Sequence, residues 1–338
     1  MLKEANITYK MATNIIIFTT FILFTTSISS ACNQQDKAAL LSFKKSFPSA
    51  NFPSWTPHTD CCRWTGVECD DFSGRVSFLS LHEKPALNGT LPSSIGDLVG
   101  LQVLSLSNFP NLKGPFPPKF KNLKNLQHLT IYKTSLSGSI PKYFSTFTQL
   151  KQLSLMASRF TGPIPSSLGE LSELSIIDFW GNRLAGKIPG SLFSMYKGSD
   201  LVGFDLSQNK LTGNIPQSFG NVSFTSVNLM SNKLTGDASF LFGRSKPATQ
   251  IILASNRLAF DLSKVEYPEK NLEYVDISHN GIYGRISENI VRSTKLGHFD
   301  VSYNRLCGKI PAKMRNTVDA SFFEHNKCLC GKPLPACK

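Results

Sequence analysis

One sequence frame decides the fold of this chain: Leu201-x-x-Phe204-x-Leu206-x-x-Asn209-x-Leu211-x-Gly213-x-Ile215-Pro216. The frame returns at residues 174–189, 272–286 and 296–311. Its glycine slot recurs mostly every 24 residues, at positions 89, 114, 138, 162, 186, 213, 236, 284 and 308, while position 260 is Phe. A fixed period of this kind indicates one structural unit stacked on copies of itself. We count about ten units.

Each slot of the frame has a physical reading. Alternation in Leu-x-Leu puts the leucines inward on a short strand, and parallel stacking of successive strands buries them between turns. The Asn slot follows the strand, where its side-chain amide can satisfy buried backbone groups. It is filled at Asn182, Asn209, Asn232, Asn256, Asn280 and Asn304, with Thr134 and Ser158 in earlier turns. The Gly and Ile-Pro slots fit an irregular convex side. The sequence therefore predicts an α/β leucine-rich-repeat solenoid of about ten ~24-residue repeats with a parallel concave β-sheet.

The cysteines predict two closed ends. There are eight, confined to one group of four at each end: Cys32, Cys61, Cys62, Cys69, Cys307, Cys328, Cys330 and Cys337. An even number in two terminal groups indicates disulfides that close the two caps of the stack, with three pairings open at each end. Zinc is the alternative, because Cys328 and Cys330 are closely spaced, but clustered histidines are lacking.

The first residues predict an exported chain. Lys3 and Lys10 give the start of the chain a positive charge, and an apolar stretch follows at residues 15–24. The small residues Ser29, Ser30 and Ala31 come directly before Cys32. We predict a signal peptide at residues 1–31, with a retained anchor as the alternative, and no span in the mature chain. We further predict an N-terminal cysteine cap at 32–75, repeats at 76–311 and a C-terminal cysteine cap at 312–338.

Composition narrows the partners. The chain is 41% hydrophobic and 17% charged, which excludes a disordered chain, and its formal net charge is +13. Such a charge favours a polyanionic partner, but secretion argues against nucleic acid.

Exposure to the secretory pathway makes the sequons at Asn88 and Asn221 candidate N-glycosylation sites. A nucleophile with its base, a metal set and a cofactor motif are all lacking, so we expect a non-enzymatic protein without cofactor or metal, and a monomer.

Several segments resemble the polygalacturonase-inhibiting proteins of plants. They are the entry motif Cys61-Cys62-Arg-Trp64-x-Gly66-Val67-x-Cys69 and residues 237–243, 258–266, 301–308 and 326–337. The resemblance covers essentially the whole mature chain and includes Phe260. It implies a cell-wall protein that binds microbial or insect polygalacturonases, covers their active-site cleft and can associate with pectin. It also implies the disulfides Cys32–Cys61, Cys62–Cys69, Cys307–Cys328 and Cys330–Cys337.

The outward residues of the strands form the candidate protein-binding face. Acids in one column would meet a basic enzyme rim, and large side chains at the centre of an interface often carry much of its binding energy. The candidates are Tyr132, Ser154, Met156, Asp178, Trp180, Asp205, Asn228, Met230, Asp276, His298 and Asp300. The chain departs from the family pattern at residues 153–156, where a strand that commonly carries an acid reads Leu-Ser-Leu-Met. The alternative is that each acid is merely a solvated residue of the repeat.

A stripe of cations follows the Asn slot and is the candidate pectin-binding site. Its members are Arg159, Arg183, Lys210, Lys233, Arg257 and Arg305. Neighbouring strands would set them roughly 5 Å apart, an interval comparable to that of the carboxylates along polygalacturonate. The competing interpretation is that these cations only keep the repeat in solution.

These observations predict a secreted cell-wall inhibitor of polygalacturonases that acts in plant defence. The first alternative is a non-catalytic extracellular partner of a receptor complex in signalling or development. The second is an ice-binding protein on the same scaffold, which a regular Asn/Thr/Ser face would favour.

Overall fold

The computed structural model describes residues 31–83, 87–196, 202–314 and 319–338. The predicted signal peptide therefore lies, except for Ala31, outside the described residues. Within those ranges no helix combines the length and the apolar composition that crossing a bilayer requires.

The described residues form one α-helix, short strands and 3₁₀ turns. The helix α1 spans Gln34–Lys45. The strands are β1 Val67–Cys69, β2 Val76–His82, β3 Gly89–Thr90, β4 Val103–Gly114, β5 His128–Ser139, β6 Gln152–Met156, β7 Arg159–Gly162, β8 Ile176–Asp178, β9 Arg183–Gly186, β10 Val202–Asp205, β11 Lys210–Asn214, β12 Phe224–Asn228, β13 Lys233–Gly236, β14 Gln250–Ile252, β15 Arg257–Leu258, β16 Tyr274–Asp276, β17 Tyr283–Gly284, β18 His298–Asp300, β19 Arg305–Lys309 and β20 Cys328–Cys330. The 3₁₀ turns are Cys61–Arg63, Ser93–Asp97, Pro118–Asn122, Lys142–Thr146, Ser166–Glu170, Gln217–Asn221, Ser239–Leu241, Leu262–Lys264, Glu288–Arg292 and Ala320–Phe322.

The concave sheet confirms the predicted repeat count. Ten described strands, one per turn, pair in parallel in the order β2, β4, β5, β6, β8, β10, β12, β14, β16 and β18. Strand β1 pairs antiparallel with β2 at the N-terminal edge. Successive turns pair mostly at equivalent positions, so residues that share a slot of the repeat lie side by side across the sheet.

A second parallel ladder flanks the concave sheet, where the sequence indicated an irregular side. It runs through β3, the ends of β4 and β5, and then β7, β9, β11, β13 and β15. The strands β17, β19 and β20 form a three-stranded group at the C-terminal end. The glycine slot lies in this ladder and needs left-handed backbone, as at Gly213 with φ +77°.

Helix α1 covers the N-terminal end of the stack. The Asn33 side chain accepts from the N–H groups of the first turn, which caps the helix. Asp36 is fully buried and accepts from both the Arg75 guanidinium, at 2.7 and 2.9 Å, and the Val76 N–H, at 2.8 Å. These bonds fasten the helix to the beginning of β2.

The interior is filled by inward leucines and by phenylalanines between the turns. The buried phenylalanines between the turns include Phe120, Phe144, Phe147, Phe193 and Phe219. Phe260, which replaces a slot glycine, is also buried, and its ring lies 6.5 Å from that of Phe242.

The asparagine slot forms a ladder that joins neighbouring turns. Asn232 is typical: its Oδ1 accepts from Leu211 N of the preceding turn at 3.0 Å. Its Nδ2 donates to three carbonyls, those of Leu206, Leu229 and Met230, at 2.9 to 3.3 Å. The same pattern recurs at Asn182, Asn209, Asn256, Asn280, Asn304 and Asn326. In the earlier turns Thr134 and Ser158 bond to each other instead, at 2.9 Å.

A left-handed residue precedes each ladder position and turns the chain away from the strand. The sequence analysis missed this column, which consists of Glu83, Asn108, Lys133, Ala157, Gly181, Gln208, Ser231, Ser255, His279, Tyr303 and His325, with φ between 46° and 69°. Most of these are not glycine, so the surrounding hydrogen bonds must hold a backbone that L-residues ordinarily avoid.

Disulfides close both ends of the stack, as the sequence indicated. The structure joins Cys32 to Cys61, Cys62 to Cys69, Cys307 to Cys328 and Cys330 to Cys337, which are the pairs that the family resemblance implies. The C-terminal cap also continues the repeat: Phe323 is buried, Asn326 donates to the Val301 carbonyl, and β20 pairs with β19. It is thus a truncated eleventh turn.

We predict that Asn232→Ala lowers the free energy of unfolding by about 3 kcal/mol, because it leaves several buried backbone groups without a partner. Urea unfolding followed by circular dichroism measures the change. Asn122→Ala, on an exposed convex turn, is the control and should change stability by less than about 0.5 kcal/mol. Equal losses in the two variants would contradict a structural role for the ladder.

Candidate functional site: the concave face

Two outward columns cross the middle of the concave sheet, as the frame predicted. From N- to C-terminal turn, the first column is Ser80, Ser105, Thr130, Ser154, Asp178, Asp205, Asn228, Ile252, Asp276 and Asp300. The second, two residues later in each turn, is His82, Ser107, Tyr132, Met156, Trp180, Ser207, Met230, Ala254, Ser278 and Ser302. The structure therefore brings the candidate residues of turns three to ten onto one surface.

Two acids stand side by side at the centre of this surface. Asp178 and Asp205 are paired positions on β8 and β10, and both are half-buried. Each carboxylate accepts from the N–H two residues later, of Trp180 at 3.1 Å and of Ser207 at 2.8 Å. Asp205 also accepts from Asn228 Nδ2 at 2.8 Å. These bonds fix the orientation of the two carboxylates before any partner arrives.

Burial alters the acid–base behaviour of this pair. Desolvation raises the pKa of Asp178 to about 6, the hydrogen bond from Trp180 N–H opposes the rise, and the charge of Asp205 adds to it. The carboxylate of Asp178 is therefore costly to ionise without a neighbouring cation. A basic group brought against it by a partner would relieve that cost.

A second pair of acids lies nearer the C-terminal end, and one of them is less accessible than predicted. Asp276 is only 8% exposed, and its Oδ1 accepts from Ser278 N and Oγ at 3.0 and 2.7 Å. Asp300, its neighbour on β18, remains half-buried. His298 stacks on Tyr274 with ring centroids 4.0 Å apart, and burial together with the two acids raises the pKa of Tyr274.

Large side chains occupy the second column between the acids. We expected Tyr132, Met156, Trp180 and Met230 to be exposed, but each is half-buried by its neighbours on the curved sheet. Ser154, also expected on the surface, is 1% exposed and accepts from Gln152 Nε2 at 3.0 Å. The accessible centre of the face therefore consists of a few partly sheltered large side chains beside carboxylates.

The cation stripe is exposed but runs obliquely. All six predicted members are exposed, five of them on the flanking ladder and Arg305 on β19 of the three-stranded group. The register of the ladder is offset by two residues from one turn to the next. Arg183 therefore pairs with Thr161 and not with Arg159, and Lys233 pairs with Thr212 and not with Lys210. This offset widens the interval between neighbouring cations to about 8 Å, instead of about 5 Å. The sequence analysis missed Lys327, an exposed residue that follows Asn326 as the other cations follow theirs.

All eight cysteine sulfurs form disulfides. In the N-terminal cap the sulfurs of Cys32, Cys61, Cys62 and Cys69 lie within 4.8 Å of one another, close enough to surround a metal ion. Both pairs are disulfides, however, and zinc requires thiolates. Cys328 and Cys330, whose close spacing suggested the zinc alternative, are also joined in disulfides, to Cys307 and Cys337. The two sequon residues, Asn88 and Asn221, are exposed.

Comparison with known proteins identifies relatives along the whole chain. Residues 33–70 match the model "Leucine rich repeat N-terminal domain", and residues 200–222 match "Leucine Rich Repeat". The chain is 43% identical over 327 residues to a polygalacturonase inhibitor of Pyrus communis, covering 92% of this chain and 94% of the relative. It is 44% identical over 330 residues to the leucine-rich repeat protein FLOR 1 of Arabidopsis thaliana, covering 97% and 100%.

A solved structure is similar over the same length. A plant ice-binding protein superimposes with a TM-score of 0.85 at 38% identity, over 91% of this chain and 99% of that one. The fold, the inhibitor-named relatives and the cross-linked caps together point to a non-catalytic protein of an oxidising compartment.

We predict that Asp178→Asn stabilises the protein at neutral pH. A carboxyl whose folded pKa lies above its unfolded value contributes stability below pH 3.8 and loses it as the pH rises through about 6. Taken in full, this rise in the pKa of Asp178 would lower the free energy of unfolding at neutral pH by about 3 kcal/mol. Because the group is partly exposed, solvent screening reduces the expected effect to about 1 kcal/mol.

Guanidinium unfolding should therefore show a gain of about 1 kcal/mol at pH 7.5 and almost none at pH 4. Asp300→Asn is the matched control, because Asp300 accepts the same kind of turn hydrogen bond, from Ser302 N at 2.9 Å. A gain of equal size at both pH values would contradict the desolvation argument.

Proposed function

The chain belongs to the family of plant polygalacturonase inhibitors, and from that membership we propose that it binds a microbial or insect polygalacturonase through its concave face and covers the substrate cleft. The observation that carries the proposal is the centre of the concave face. There Trp180 stands beside the preoriented carboxylates of Asp178 and Asp205.

Rigidity makes this surface suited to inhibition by occlusion. Strands hold the candidate side chains, and hydrogen bonds fix Asp178, Asp205 and Asn228, so little entropy is lost on binding. The acids would attract and orient a basic rim, while a large half-buried aromatic would supply contact area at the centre. We assign this contact to Tyr132, Ser154, Met156, Asp178, Trp180, Asp205, Asn228, Met230, Asp276, His298 and Asp300, with Ser154 and Asp276 in supporting positions because of their burial.

The same proposal includes secretion into the plant cell wall as a monomer. The division into signal peptide 1–31, cap 32–75, repeats 76–311 and cap 312–338 is part of it, as are glycans at the exposed Asn88 and Asn221. Four disulfides support an extracellular location.

We predict that Trp180→Ala weakens inhibition of a sensitive polygalacturonase about 10- to 30-fold, the loss typical of an interface hot spot. Residual activity of a panel of fungal and insect enzymes, titrated with purified protein, provides the measurement. Phe72→Ala is the control, because Phe72 is 93% exposed in the N-terminal cap and lies off the concave face. No inhibition across a broad panel would reject the proposal and favour a partner in a receptor complex.

A second role, binding of pectin, is favoured by the flanking stripe. Arg159, Arg183, Lys210, Lys233, Arg257 and Arg305 are all exposed, one per turn except at Gly281. Because exposed charges are screened by salt, the interaction should weaken steeply as ionic strength rises.

We predict that Lys210→Glu/Lys233→Glu lowers the salt concentration that elutes the protein from immobilised polygalacturonate by about half. Lys121→Glu/Lys142→Glu makes the same change in net charge on the convex turns and is the control. Equal shifts in both variants would show that net charge alone, and not the stripe, holds the polymer.

The structural similarity to a plant ice-binding protein supports a shared leucine-rich-repeat fold, but it does not support ice binding by this chain. A regular array of Asn, Thr and Ser would favour ice, whereas the columns here mix Trp180, Met230 and Ile252 with acids. We therefore do not extend ice binding to this chain.

A further inference from the structure

A cavity of about 100 Å³ lies at the C-terminal end of the stack, beside the tenth turn. It is bounded by the 3₁₀ turn Glu288–Arg292, by the beginning of β18 and by the segment 311–314, which follows the last repeat. Apolar side chains form much of its wall, among them Ile290, Leu296, Phe299 and Met314. The wall therefore resembles the core that it adjoins.

The cavity exists because a small residue occupies a slot that is large in other turns. Ser293 stands six residues before Phe299, which is the first inward residue of β18. In four earlier turns the same slot holds a large apolar side chain that is at most 2% exposed: Leu98, Leu123, Phe147 and Leu171. Ser293 is buried as well, and its hydroxyl donates to the Pro268 carbonyl at 2.7 Å. The tenth turn thus has less side-chain volume here, without an unsatisfied polar group.

A glycine opens the cavity toward the surface. Gly297 lines it and stands two residues before Phe299, in a slot that holds longer side chains in earlier turns: Gln102, Gln127 and Lys151. A Cβ added at Gly297 would meet the Glu273 carbonyl oxygen at 3.9 Å, an ordinary contact, and the backbone there is not left-handed. The backbone conformation therefore does not require a glycine, whose effect is to leave the cavity accessible.

The mouth of the cavity is positively charged. Lys313 lines the cavity and is exposed, so its alkyl stem covers apolar surface while its ammonium group remains in water. No Asp or Glu is among the described residues that line the cavity. A shallower recess shares Lys313 and is also lined by Lys309, Arg292 and Glu288. Arg292 pairs with Glu269 at 3.5 Å, whereas the ion pairs recorded among the described residues include neither lysine.

We propose that this cavity binds a small anionic amphiphile, a carboxylate whose apolar part has about four to six carbons. The apolar wall takes the alkyl group, and Lys313 attracts the carboxylate at the mouth. A cavity of about 150 Å³ lined by Leu, Ile and Phe holds benzene, so this smaller one suits a short or branched alkyl group.

The site is distinct from the two surfaces described above. Of the residues assigned to the concave contact His298 alone lines the cavity, and no member of the cation stripe does. The inference therefore rests neither on inhibition of polygalacturonase nor on binding of pectin.

The probe is hexanoate, which is ionised at pH 7.5, and hexanamide is its neutral counterpart. Titrations followed by saturation-transfer NMR measure both dissociation constants. We expect about 1 mM for hexanoate, and about threefold weaker binding of hexanamide, because a single exposed charge contributes little. Lys313→Gln should remove this preference and leave hexanamide binding unchanged. Lys327→Gln, at an exposed position of the C-terminal cap, is the control and should keep the preference.

Two further variants test the cavity itself. Ser293→Leu restores the side chain of the earlier turns and should weaken the binding of both probes at least about tenfold. Gly297→Gln covers the mouth instead, should weaken both probes by about the same factor, and serves if Ser293→Leu does not fold. Ser175→Gln changes the slot of Gly297 in the fifth turn and should leave both affinities unaltered. Circular dichroism and the thermal midpoint verify folding.

Three results would each overturn the inference: unchanged affinity in the folded cavity variants, no saturation transfer to either probe at about 10 mM, or affinity that keeps rising from hexanoate to decanoate. The last result would indicate an open apolar surface, because a cavity of this size limits the chain that it can hold. Equal affinity for hexanoate and hexanamide would overturn the anionic class of the ligand.

Discussion

The asparagine ladder is the interaction on which the rest of the molecule depends. Each turn must leave its strand abruptly, and this exposes carbonyls and an N–H inside the stack that water cannot reach. One amide side chain satisfies four of these groups, as Asn232 does, and connects two turns while doing so. The residue that precedes it adopts left-handed backbone. The shape of the concave face therefore follows from a constraint behind it, not from the residues displayed on it.

That constraint leaves the outward positions free to carry function. Because successive strands pair at equivalent slots, a substitution in one turn is placed directly beside its counterparts in the next. Asp178 and Asp205 become neighbours in this way, and their closeness contributes to the raised pKa of Asp178. Ionisation of Asp178 is unfavourable in the free protein, because the carboxylate is partly desolvated and lies beside Asp205. A cation on a basic partner would offset that unfavourable free energy, so this surface is suited to such a partner.

The sequence predicted the repeat, the strand columns and the cross-linked ends because each depends on local spacing. It did not predict features that arise between turns. The burial of Ser154 and Asp276 depends on how neighbouring side chains fold over them, and the oblique stripe depends on the offset of the flanking ladder. The eleventh turn was hidden because Phe323 and Cys328 stand where leucines would be expected, although the spacing of Asn326 was visible. The stacking of the Tyr303 ring between the rings of His279 and His325 likewise depends on residues more than twenty positions apart in the chain.

The ladder joins each turn only to its immediate neighbours, and this has a consequence for how such a chain can change over time. Duplication or loss of one whole unit would leave every remaining amide with the same kind of partner, while lengthening or shortening the arc by one strand spacing. The two cross-linked ends would stay as they are. The C-terminal cap bonds to the last turn through Asn326, which accepts from Leu306 N and donates to the Val301 carbonyl, as a ladder asparagine of any turn would. The arc can therefore be adjusted in steps of about 4.8 Å to the breadth of what it must enclose.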